Sequence, residues 1–95
     1  MSSERYDSIW DALADSPQEA ENLRLRAQLM RALAEAVNNW GMTQKDAAQR
    51  LQLTQPRLND LLKGKVDKFS LDALVNMLAG ANLKIEVEVT ARAAA

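Results

Sequence analysis

From Pro17 to Trp40 no Gly and no further Pro intervenes, and Leu23, Ala27, Met30, Ala34 and Val37 recur at helical spacing along one side. The start is written into Ser16-Pro17-Gln18-Glu19. Ser16 can accept from the amide of Glu19, Glu19 can reach back, and Pro17 sits where no amide hydrogen is needed. The spacing predicts a helix over 17–39, broken by Asn38-Asn39-Trp40-Gly41. Upstream, Ile9, Trp10 and Leu13 share one side of a short helix predicted from Tyr6 to Leu13, inside an N-terminal extension of residues 1–15.

Thr43 caps a second helix that turns Ala47, Ala48 and Leu51 inward. Thr54 caps a third, with Pro56 in its first turn, Leu58, Leu61 and Leu62 facing the core, and Gly64 as its stop. Ser70 caps a fourth over 71–79, with Leu71, Leu74, Val75 and Leu78 as the buried stripe. The period then changes. Leu83, Ile85, Val87 and Val89 alternate with Lys84, Glu86, Glu88 and Thr90, which predicts a half-buried strand over 83–90. A lone strand leaves its amides and carbonyls unpaired, so it needs a partner. The least costly partner is the same segment of a second copy, antiparallel about a twofold axis, with Leu83, Ile85, Val87 and Val89 at the dimer face. The competing arrangement folds the strand onto its own helices. Residues 91–95 have no pattern and are expected to fray.

The chain of 95 residues is therefore expected to be mostly α and one domain: helices over 16–82, then a dimerisation strand. With 47% apolar and 26% charged residues it has an ordinary globular balance. Cysteine and histidine are absent, which removes thiolate and imidazole nucleophiles, disulfides, and metal sites built on nitrogen or sulfur. A carboxylate or lysine base would need a desolvated pocket that so short a chain is not expected to hold. An enzyme, a cofactor and a bound metal are accordingly not expected. Glu86 and Glu88 read as a solvated strand edge, and Trp10, Met30, Trp40 and Met77 as core. No apolar run approaches the ~20 residues of a membrane span, and Met1-Ser2-Ser3-Glu4-Arg5 is no secretory start, so a soluble cytoplasmic protein without a membrane partner is expected.

Net charge is only −1, but it is unevenly placed. Residues 1–22 carry Glu4, Asp7, Asp11, Asp15, Glu19 and Glu21 against Arg5. Residues 43–68 carry Lys45, Arg50, Arg57, Lys63, Lys65 and Lys68 against Asp46, Asp60 and Asp67. A polyanion is drawn to the second stretch and repelled by the first.

That basic stretch contains the functional pattern. Residues 43–65, TQKDAAQRLQLTQPRLNDLLKGK, give two short helices joined by a tight turn, with small Ala47 and Ala48 where helices cross and Leu53 and Leu58 sealing the corner. This is a helix-turn-helix pattern, whose second helix enters the major groove of DNA. Gln55 and Arg57 have the chemistry for bidentate contacts to adenine and guanine edges, and Asn59 is a further amide reader.

Thr43-Gln44, Ala47-Ala48, Thr54-Gln55 and Lys63-Gly64-Lys65 resemble the helix-turn-helix of Xre/Cro-type regulators. The fuller string is similar to a narrower branch, the HigA-like antitoxins of type II toxin-antitoxin systems and related stand-alone regulators. It comprises Ile9-Trp10-Asp11-Ala12-Leu13, Ser16-Pro17, Thr54-Gln55-Pro56-Arg57-Leu58 and Phe69-Ser70-Leu71-Asp72-Ala73-Leu74-Val75-Asn76. The resemblance implies a lambda-repressor-like helical bundle. It also implies roles: Gln44 clamping a phosphate or bracing Gln55, Gln55 and Arg57 reading bases, and Thr54, Lys63 and Lys65 holding backbone phosphates. Pro56 and Arg57 depart from the best-known phage repressors, so the base sequence read does not carry over.

Together these readings give a homodimeric repressor on a palindromic operator of double-stranded DNA, its recognition helices about 34 Å apart or a multiple of that. The antitoxin reading adds a small basic toxin, ribonuclease-like, bound by the acidic N-terminus through Ile9, Trp10 and Leu13. The competing reading is a stand-alone regulator with no toxin partner.

Overall fold

The computed structural model describes residues 14–93. Its elements are α1 (Pro17–Trp40), α2 (Gln44–Leu51), α3 (Gln55–Leu62), a 3-10 turn (Val66–Lys68) and α4 (Leu71–Gly80). The helix predicted from Tyr6 to Leu13, with Ile9, Trp10 and Leu13, lies outside the described residues.

Eight-residue helices such as α2 and α3 are not stable alone, so their ends and their buried faces must hold them. All four predicted caps form. The hydroxyls of Ser16, Thr43, Thr54 and Ser70 accept from the amides of Glu19 (3.1 Å), Asp46 (3.2 Å), Arg57 (3.3 Å) and Ala73 (3.1 Å). Each satisfies one of the amides left over at a helix start. Glu19 does reach back, accepting from the amide of Asp15 at 3.4 Å.

Three helices stop by one shared bond pattern, the Schellman motif. After α2, Leu53 N donates to Ala48 O (2.8 Å) and Gln52 N to Gln49 O (3.1 Å). After α3, Lys65 N donates to Asp60 O (3.1 Å) and Gly64 N to Leu61 O (3.0 Å). After α4, Leu83 N donates to Leu78 O (2.9 Å) and Asn82 N to Ala79 O (3.1 Å). The residue at each reversal is left-handed: Gln52 at φ 58°, Gly64 at 73° and Asn82 at 60°.

α1 is the spine of the core, carrying Leu29, Met30, Leu33 and Val37 against Ala47, Ala48, Leu51, Leu58, Leu61, Phe69, Leu74, Met77, Leu78 and Ala81. Phe69, Leu33, Leu58, Leu61 and Leu74 are the largest fully buried side chains. On α4 the expected stripe is corrected at one position: Val75 is 45% exposed and Met77 is buried in its place. Successive residues step by about 100°, so Val75 is turned a quarter circle away from Leu74 while Leu78 and Ala81 stay beside it.

Residues 83–93 carry neither helix nor strand. A strand exists by its hydrogen-bonded ladder, and among the described residues no second extended segment supplies one. The segment returns toward the start of α1, where Arg92 lies 3.7 Å from Glu21. Among the described residues no helix is long and apolar enough to cross a membrane.

Candidate nucleic-acid interface

α2, the turn at Gln52-Leu53 and α3 form the predicted helix-turn-helix. The turn is fixed from both sides, by the Schellman bonds of α2 and by the Thr54 cap of α3. Behind it, Ala47 and Ala48 are 1% and 2% exposed, so α2 sits close against the core with no side chain between.

The faces of α3 follow from helix geometry. Leu58 and Leu61 point into the core. Gln55, Asn59 and Lys63 recur four apart and share one face; Gln55 and Lys63 are exposed and Asn59 is half-buried. Gln44 is exposed as the first residue of α2, and Gln55 occupies the same place in α3.

Arg57 does not join them. Two residues on from Gln55, it projects from the opposite flank of α3, because residues two apart never face the same way on a helix. Its guanidinium carbon lies 4.4 Å from the centroid of the Phe69 ring. Its Nη1 donates to the carbonyl of Lys68 at 3.2 Å. The arginine expected to read bases is thus half-buried and anchored within the chain.

Of the expected phosphate ligands, Thr54 uses its hydroxyl oxygen as a cap acceptor, which leaves its proton to give. Lys65 pairs with Asp60, Nζ to Oδ1 3.4 Å, so part of its charge is answered within the motif. Lys63 is exposed beyond the end of α3.

Two arginines outside the expected set shape the surroundings. Arg50, at the end of α2, stacks its guanidinium carbon 3.9 Å from the centroid of the Trp40 ring. Arg26 reaches from α1 to the loop after α3: its Nη1 donates to the carbonyls of Val66 (3.0 Å) and Phe69 (3.2 Å), and its Nε is buried with no partner. Arg26 lies one turn before Met30 on the apolar face of α1, and a lone arginine within an apolar stripe is the signal that could have marked it. The loop between α3 and α4 is therefore held by one arginine from α1 and one from α3.

Acidic groups gather at the far end of α1. Glu21 accepts two hydrogen bonds from Arg24, and those bonds, with the charges of Arg24 and Arg92, hold its carboxyl below the usual carboxylate range against a smaller opposing effect of burial.

A family model described as a helix-turn-helix domain matches residues 12–90. No curated protein matches the chain.

Proposed function

The chain belongs to the helix-turn-helix domain family, and from that premise we propose that it is a cytoplasmic, sequence-specific transcriptional repressor and no enzyme. It binds a palindromic double-stranded operator as a homodimer. The observation that carries the reading is the shared face of Gln55, Asn59 and Lys63 on a short helix whose start is capped and whose back is buried. Amide side chains at the start of such a helix reach adenine edges, and a lysine at its far end meets phosphate. Gln44 and Thr54 hold phosphates at the two helix starts. Lys65 adds charge beside Lys63, and Arg57 contributes from the flank with the guanidinium donors that Lys68 does not take.

Binding to DNA fragments from upstream of its own gene, measured by fluorescence anisotropy, tests this reading. Gln55→Ala should lose discrimination between operator and random sequence while leaving the fold intact, because Gln55 is exposed. Equal affinity of the wild type for both DNAs sinks it.

Dimerisation is assigned to Leu83, Ile85, Val87 and Val89, whose apolar side chains stay uncovered in one copy. The repressor is further proposed to be an antitoxin, its acidic N-terminus covering a small basic toxin. Support comes from the acidic surplus of residues 1–22 and the apolar Ile9, Trp10 and Leu13 within it. Removal of residues 1–14 should abolish neutralisation and spare DNA binding. Recovery from its native cells as a dimer with no small basic protein in fixed ratio would instead make it a stand-alone regulator.

A further inference from the structure

Resting on the dimer reading above, we propose that two copies pair antiparallel along residues 83–89 with Glu86 on the twofold axis. The ladder cannot extend toward the N-terminus past Leu83, because Asn82 is left-handed at φ 60° and Ala81 still belongs to the end of α4. Symmetry then sets the other end. With Glu86 central, Leu83 faces Val89 of the other copy, and both are the last members of the apolar alternation.

Exposure supports the same register. Leu83 and Ile85 are each 37% exposed, whereas Val87 and Val89 are 78% and 87% exposed, the barest large apolar side chains among the described residues. Pairing about Glu86 sets each of the barer valines opposite a less exposed residue of the other copy: Val87 against Ile85, and Val89 against Leu83. Shifting the axis to Ile85 would place Val89 opposite Ala81, inside the helix end, and leave it without a cross-strand neighbour.

Hydrogen bonding agrees. The amide of Leu83 is committed to Leu78 O at 2.9 Å, so it turns inward and away from any partner strand. That makes 83–89 a non-hydrogen-bonded pair, and by alternation 85–87 as well, the pair type in which side chains approach most closely. The exchanged bonds fall at 84–88 and 86–86. On the polar face Lys84 meets Glu88 twice, and Glu86 meets its own copy on the axis, the one unfavourable contact of the register.

The chain has no cysteine, so single cysteines report the register without background. Sedimentation first establishes the mass; a monomer at working concentration removes the dimer reading itself. For a dimer, mixing Ile85→Cys with Val87→Cys under mild oxidation should give the mixed disulfide, while Ile85→Cys alone should not cross-link. Self-cross-linking of Ile85→Cys would put the axis on Ile85 and overturn the register alone. Exposed residues give a second reading that leaves the apolar face untouched. Lys84→Glu should weaken the dimer about tenfold, and adding Glu88→Lys should restore it. Rescue by Glu86→Lys instead overturns the proposal. Glu86→Gln should tighten the dimer about two- to fivefold by removing the axial repulsion.

Discussion

The guanidinium of Arg57 stacks on the ring of Phe69, 4.4 Å from carbon to centroid, and the same side chain bonds the carbonyl of Lys68. One side chain thus ties α3 both to the ring and to the backbone of the loop that follows it. Arg57→Ala should therefore cost about 1 kcal/mol of stability. On the proposed reading it should also cost about 1 to 3 kcal/mol of operator binding, concentrated at one base position. Urea denaturation and competition among single-base operator variants separate the two effects. A loss spread evenly over all sequences would deny Arg57 a base contact and leave it a brace for the loop.

Lys63 stands on the same face as Gln55 and Asn59 but beyond the last turn, and the proposed reading gives it a backbone phosphate. Lys63→Ala should weaken operator and random DNA alike and reduce the salt slope by about one. A changed preference among operator variants, with the salt slope intact, would contradict this.

Gln52 adopts φ 58° in the turn of the motif, a conformation that costs a side-chain-bearing residue about 1 kcal/mol or more. Gln52→Gly should raise stability by roughly 1 kcal/mol, offset in part by the greater freedom of glycine in the unfolded chain. Gly64→Ala, at φ 73°, should lower it by about 1 kcal/mol even though open space surrounds the position. Thermal or urea unfolding reads both, and equal midpoints for wild type and Gln52→Gly would refute the strain argument.

Arg26 supplies two charge-assisted hydrogen bonds to loop carbonyls from a partly buried position. Arg26→Met keeps much of the aliphatic stem and removes both bonds, and should cost about 2 to 4 kcal/mol. Hydrogen exchange should show the loss as faster opening of residues 65–70. An unchanged unfolding midpoint would mean that freeing the buried Nε compensates for the lost bonds.

Glu21 titrates below an ordinary glutamate, so its ion pair favours the folded state above the unfolded pKa, and that contribution fades as pH falls through the folded value. Both partners face solvent, which keeps the contribution well under about 1 kcal/mol. Carboxyl NMR titration should place Glu21 below the usual glutamate range, and Arg24→Ala should return it toward that range. No response to Arg24→Ala would assign the shift to Arg92.

Local chemistry was legible in the sequence. Ser16, Thr43, Thr54 and Ser70 each begin a helix because a cap needs only a hydroxyl and an amide three residues on. The stop at Gly64 was equally plain, whereas Gln52 and Asn82 reverse the chain without glycine. There the signal lies in the residue after the reversal, Leu53 or Leu83, whose amide reaches back to the last turn. In the candidate site the residue types were readable but not their directions: Gln55 and Arg57 look paired in a string and lie on opposite flanks of α3. Arg26 and Arg57 bond to carbonyls 40 and 11 residues away. Periodicity along a helix carries no information about contacts at such separations.

The loop from Lys65 to Phe69 is gripped by two helices at once, through Arg26 of α1 and Arg57 of α3. Neither tie depends on the other's bonds, so with one arginine removed the loop stays fastened at the carbonyls the other holds. The loop is doubly moored, and only the loss of both arginines casts it off.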